Sequence, residues 1–193
     1  MAAPTSLPTV LFPRAGKDNT VKTLQLALNT ARQLRVSHLV VASTSGSTAL
    51  KLVRQAGGDF KIICVTHHAG FAQPGKSELP QAREKRLNLL GVNVLRTTHL
   101  FAGIDRAVRL RFGGLGTPEL IASTYRTLGE GTKVAVEIAV MALDAGLVPL
   151  GKDIISIAGT GAGADTALVI RPAHSNQFFA TRIRHIICKP WSF

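Results

Sequence analysis

The sequence predicts an α/β protein, a three-layer α/β/α sandwich on one mostly parallel sheet with an antiparallel edge. Three observations carry that prediction. Short, β-branched apolar runs recur with little polar alternation, as strands require when helices cover both of their faces. Helical apolar stripes stand between them, and the residues that follow the strands are unusually polar.

The elements come in β-α-β order. Residues 20–34 set Leu24, Ala27, Leu28, Ala31 and Leu34 on one helical stripe behind an Asn19 or Thr20 cap. The run His38-Leu39-Val40-Val41-Ala42 is the first strand, and the helix after Gly46 carries Ala49, Leu52, Val53 and Ala56 on one face until Gly57-Gly58 ends it. Lys61-Ile62-Ile63-Cys64-Val65 is the second strand, residues 78–90 form a helix that stops at Gly91, and Val92-Asn93-Val94-Leu95 is the third strand. A helical excursion then occupies about 100–131. It has Phe101, Ile104 and Val108 on one face, Arg109 on its solvated face, a glycine break at 113–116 and a restart at Thr117-Pro118-Glu119, where proline suits a first helical turn. Residues 134–147 are apolar almost all round and predict a buried helix; strands follow at 153–158 and 166–170, and a last strand at 184–188 closes an edge. Right-handed crossovers would place the loops after the strands along one sheet edge.

Bulk properties narrow the class. A chain of 193 residues, 46% hydrophobic, buries a sizeable core and is expected to form one domain over 1–193. Its two cysteines, Cys64 and Cys188, lie inside apolar runs and read as small buried hydrophobes in a reducing, cytoplasmic compartment. No run is long and apolar enough to suggest a membrane partner, and Met1 to Leu11 lacks the basic start and apolar core of a secretory leader. No acid precedes Asp18, which leaves an organelle transit peptide open. A net charge of +12 attracts nucleic acid, acidic membranes and phosphorylated metabolites alike. The arginine groups at 83–86 and 106–111 have no interleaved aromatics and no nucleic-acid-binding signature accompanies them, so a specific nucleic-acid partner is not expected.

Ligands of open parallel sheets bind outside the carboxyl ends of the strands. After the first strand comes Ser43-Thr44-Ser45-Gly46-Ser47-Thr48, opening a helix. Five hydroxyls and free N–H groups at a helix start suit a phosphate dianion, whereas capping alone needs one hydroxyl. Gly46 is expected to permit the phosphate's close approach, so that a β-branched residue there harms binding more than folding. The second polar cluster, Gly159-Thr160-Gly161-Ala162-Gly163-Ala164-Asp165, lacks the Gly-Lys-Ser/Thr ending of a P-loop and precedes a strand; alone it reads as a hairpin loop. His67, His68, His99 and His174 all follow strands, and contact with an anion is expected of them rather than a metal site, because no helical His-x-x-x-His pair exists. Glu137, inside the apolar helix, is read as salt-bridged to Arg171 or Lys133, with a general-base role as the alternative.

These two loops carry a resemblance. Residues 39–49, the strand through Thr66, the helix at 136–146 and the run from Asp153 to the glycine loop resemble, in order, the C-terminal domain of pyruvate kinase, whose matching loops hold an effector phosphate. Nearly the whole chain looks like a stand-alone family with that fold, through Gly16 to Thr20, His68-Ala69-Gly70-Phe71, Gly163-Ala164-Asp165-Thr166 and Val169-Ile170-Arg171-Pro172-Ala173-His174. The resemblance implies a phosphate-ligand site of residues 43–48, Thr66, His67, His68, Gly159, Thr160, Gly161, Gly163, Asp165 and Arg171. It also implies flavin mononucleotide (FMN) or a sugar or nucleotide phosphate as ligand, and a homo-oligomer. It implies no kinase activity, since phosphoryl transfer belongs to a separate barrel of that enzyme. The first loop lacks the basic residue of many pyruvate kinases, and the excursion has no clear counterpart there. Two functions stand: a binding or regulatory domain, or a small enzyme using His68, His99 or Glu137 as acid or base.

Overall fold

The computed structural model describes residues 6–193. The leader reading of residues 1–11 therefore falls in part outside the described residues. Seven strands form one sheet in the order β1-β7-β6-β5-β2-β3-β4. In chain order these are β1 (Val10–Arg14), α1 (Thr20–Leu34), β2 (His38–Ala42), α2 (Ser47–Ala56), β3 (Lys61–Thr66), α3 (Gln81–Leu89), β4 (Asn93–Arg96), α4 (Ile104–Phe112), α5 (Thr117–Arg126), α6 (Glu130–Asp144), β5 (Ile154–Ala158), β6 (Thr166–Arg171) and β7 (Arg182–Ser192). The sheet is parallel from β5 through β4; β6 runs antiparallel to both of its neighbours, and β1 pairs parallel with β7 beyond it.

Period-two alternation sends each strand's side chains into two cores. Leu39, Val41, Ile62, Cys64, Ile155 and Ile157 pack under α1 and α2, whereas Val40, Ile63, Val65, Ile154 and Leu168 pack under α6. This is the three-layer sandwich, and it explains why β2, β3 and β5 show no polar alternation. Burial pushes the Cys64 and Cys188 thiols up to about 12, in keeping with their role as small hydrophobes. Among the described residues no helix is long and apolar enough to cross a membrane.

Three elements differ from the sequence expectation. β1, unread in the sequence, is five residues long with only Phe12 buried, and its Pro13 is tolerated because the strand lies on the sheet edge. β7 extends to Ser192, since it pairs on both sides. α6 begins at Glu130, a turn before the apolar run: Gly131 packs against Thr166, while Glu130 and Lys133 line a cleft.

Candidate functional site

Chain order reverses between β2 and β5: the chain proceeds outward through β3 and β4, then returns to lay β5 on the other side of β2. Such a switch point splays the loops that follow the two strands and opens a crevice at their carboxyl ends. Here it is a cavity of about 440 Å3, lined by Ser43, Thr44, Ser45, Ser47 and Thr48 on one side and Gly159, Gly161, Ala162 and Gly163 on the other. Both walls are fixed from behind. The N–H of Ser43 donates to Val65 O (2.9 Å), Thr66 Oγ1 donates to Thr44 O (2.8 Å), and the Arg83 guanidinium donates to Ser45 O (2.6 Å). Gly46 holds the N-cap position of α2, and Ser43 Oγ accepts the first-turn N–H groups of Thr48 (3.1 Å) and Ala49 (3.4 Å), so Thr44, Ser45, Ser47 and Thr48 remain as the hydroxyls of the wall.

The glycine loop is pinned by Asp165, which is fully buried. Its Oδ2 accepts the N–H groups of Gly16 (2.9 Å) and Thr160 (3.1 Å), and its Oδ1 accepts the Thr166 hydroxyl (2.7 Å). Thr20 Oγ1 accepts from Ala164 N (3.0 Å), and a Cβ on Gly163 would lie 2.3 Å from that hydroxyl. Asp165 therefore shapes the loop and does not line the cavity, contrary to the direct contact expected of it. Thr160 also turns away, with its hydroxyl buried and without a partner among the described residues.

A second cavity of about 240 Å3 adjoins the first across Ser43, Thr44, His67, Glu130 and Val134. Its far wall is aromatic and basic: Phe71, His99, Arg106, Arg126 and Lys133 line it together with Thr66, Glu137 and Met141. His67 stacks on Phe71 with ring centroids 3.9 Å apart, and the rings of His67, His68 and Phe71 all stand 5.2–5.4 Å from that of His99. His67 Nδ1–H donates to Glu78 Oε2 (2.7 Å), and His68 Nδ1–H to Ala69 O (2.8 Å), which leaves Nε2 of each ring unengaged by these bonds. Burial pushes His99 down to about 4; the neighbouring Glu137 carboxylate opposes this, while His67, His68 and Lys133 add to it. Among the described residues no three His, Cys, Asp or Glu side chains are disposed to hold a metal ion.

Glu137 is salt-bridged, and its partner is Lys133 (2.5 Å, one helical turn away). Its other oxygen accepts the N–H of Phe101 (2.9 Å). With both oxygens engaged, the carboxylate is a structural clamp between α6 and the start of the excursion rather than a free base.

Arg171 and His174 are not in this site. Because β6 runs antiparallel, its last residue emerges at the opposite sheet edge, where Arg171 pairs with Asp153 (2.8 Å) and His174 with Asp144 (2.9 Å). Gly46 is displaced in another sense: it is buried with φ 79°, and a Cβ there would meet Leu79 Cδ1 at 2.7 Å and Leu87 Cδ1 at 3.1 Å, on the side away from the cavity. The excursion also departs from expectation. Ile104 and Val108 are 82% and 48% exposed, while Arg109, expected on the solvated face, pairs with Glu119 (2.8 Å) and lines a smaller cavity of about 110 Å3. Phe71, Arg106, Arg126 and Glu130 were not recognised as site residues in the sequence. Phe71 stood in the run 68–71 and Arg106 in the basic group at 106–111, whereas Arg126, at the end of α5, and Glu130, at the start of α6, belong to different helices and are joined only by the fold, in an ion pair of 2.6 Å.

Among solved structures, the chain is matched by the pyruvate kinase of Cryptosporidium parvum. One of its crystal structures is 14% identical over 73% of this chain and 20% of that one, with a TM-score of 0.39. Another, in complex with ADP, is 15% identical over 75% and 22%, also with a TM-score of 0.39. The chain spans about a fifth of the length of those enzymes. The family model described as the alpha/beta domain of pyruvate kinase matches residues 22–170, and on that match the chain belongs to the pyruvate kinase alpha/beta domain family.

Proposed function

We propose that this chain is a cytoplasmic binding or regulatory domain for a phosphorylated small molecule, held at the carboxyl edge of the sheet, without kinase activity of its own. The observation that carries the reading is the crevice at the β2/β5 switch point. Its walls are the hydroxyl-bearing start of α2 and a glycine loop braced by Asp165. A phosphate there meets the positive end of the α2 dipole and the side chains of Ser45, Ser47 and Thr48, and the remainder of the ligand extends past His67 into the adjoining cavity. FMN, with a flat ring for the His67, Phe71 and His99 cluster, and sugar or nucleotide phosphates are the ligands to test. The same reading takes the chain as a homo-oligomer, supported by the exposure of Ile104, Leu110 and Phe112, and light scattering tests it. Native mass spectrometry of the purified chain is expected to show a retained phosphorylated ligand, with absorbance near about 450 nm if that ligand is a flavin. Preparations free of ligand that also fail to bind phosphate compounds in calorimetry would remove the reading.

A further inference from the structure

The amino ends of β2, β3, β4 and β5 form the sheet edge away from the crevice, and two further cavities lie along it. One, of about 610 Å3, is lined by Arg35, Ser37, His38, Lys152 and Arg171. The other, of about 590 Å3, is lined by Phe60, Lys61, Asn93 and Leu147, and it meets the first at His38 and Pro149. Charge on this edge is one-sided. Asp153 is the one carboxylate in either wall, and it is shared between Arg171 (2.8 Å) and Arg184 (3.5 Å). Arg35 and Lys152 pair with no carboxylate among the described residues. At the junction His38 is held below its ordinary 6.5 by burial, and the Lys61 ammonium adds to this.

The backbone of Arg35 is an independent observation. Among the described residues it is the only non-glycine with a positive φ (φ 53°, ψ 38°), and it stands at the C-cap of α1. The same position of α2 is filled by Gly57 at φ 71°, the ordinary and unstrained solution. The α1 dipole does not require the extra charge, because Arg32 already stands in the last turn. Strain kept at an exposed position that glycine would relieve points to a use for the side chain, and that side chain lines the cationic cavity. Arg35, Lys152 and the Arg171–Asp153–Arg184 group leave more positive charge than one phosphate dianion offsets.

We infer that the amino edge of the sheet is a second ligand site, separate from the crevice, and that it takes an organic diphosphate. Arg35, Lys152 and Arg171 hold the phosphate chain, and the cavity beside Phe60 receives the remainder of the molecule. Titration of the full chain with inorganic diphosphate, followed through the His38 ring protons by NMR and assigned with His38→Asn, tests the phosphate half. A saturable shift is expected, with diphosphate bound about tenfold or more tighter than inorganic phosphate. Arg35→Gly and Lys152→Gln are each expected to weaken that binding about tenfold, whereas Lys22→Gln, at the far end of α1, leaves it within about twofold. Arg35→Gly should also hold or raise the urea midpoint, so that its weaker binding is not a consequence of unfolding. Thr48→Ala, which alters the crevice, should leave the His38 titration unchanged. Absence of a saturable His38 shift, loss of that shift in Thr48→Ala, or full affinity in Lys152→Gln or in folded Arg35→Gly overturns the inference, and none of these outcomes bears on the crevice reading.

Discussion

Gly46 holds a backbone conformation that few other residues adopt, and it does so against Leu79 and Leu87 rather than against a ligand. Gly46→Val therefore strains the backbone and forces a contact of 2.7 Å with Leu79, just before α3, and one of 3.1 Å with Leu87 of α3. The expected loss is about 2 to 4 kcal/mol of stability, read from urea unfolding, with ligand affinity per folded molecule little changed. Thr48 behaves oppositely. It is buried yet lines the cavity, so Thr48→Ala is expected to lower phosphate affinity about ten- to a hundredfold in calorimetry, with little change in unfolding midpoint. Unchanged affinity in that variant would place the phosphate elsewhere.

At the scale of elements, α6 bears the charges that shape the cleft. Glu137→Ala strands the buried Lys133 ammonium and frees the Phe101 N–H, and a loss of about 3 kcal/mol in unfolding free energy is expected. His99 gives the cleft a pH dependence of defined sign. Its folded-state value of about 4 lies below the ordinary 6.5, so on acidification the unfolded chain takes up a proton that the folded chain refuses. Stability is full above pH 6.5 and falls as pH drops from 6.5 towards 4; His99→Asn should flatten that part of the profile. Legibility of the elements followed burial. α1 and β2 matched residue for residue because their apolar periods are set by a core on one or two faces, and the hydroxyl turn could be read because it directly follows such a strand. α4 was legible as a helix but not in its packing, since Ile104 and Val108 read as a packing face yet stand exposed, and only the tertiary position of Glu119 draws Arg109 out of solvent. Arg171 was misplaced although the sequence held the means to place it: the seven residues between β5 and β6 are too few for a parallel crossover, and the hairpin they imply sends the last residue of β6 to the opposite sheet edge.

For the whole molecule, a net charge of +12 means that duplex DNA should be bound weakly, without regard to sequence, and released steeply as salt rises; filter binding at several salt concentrations measures this. The chain is likewise expected to show no phosphoenolpyruvate-dependent ATP synthesis in a coupled assay. The edge pairing of β1 with β7 joins Val10 to Cys188, and the clamp on the glycine loop joins Gly16 to Asp165. The first contact closes a loop of nearly the full chain and the second one of 149 residues, an entropic cost that delays their formation relative to nearer-neighbour pairings such as β2 with β3. During synthesis Gly16 must wait for Asp165, and β1 for β7, before they can dock. The glycine wall of the crevice should accordingly be the last part to set, and binding competence should lag behind compaction during refolding. Pulse-labelled hydrogen exchange would show amides of β2 and β3 protected before those of β1 and Gly16; simultaneous protection would mean that the two ends of the chain meet early.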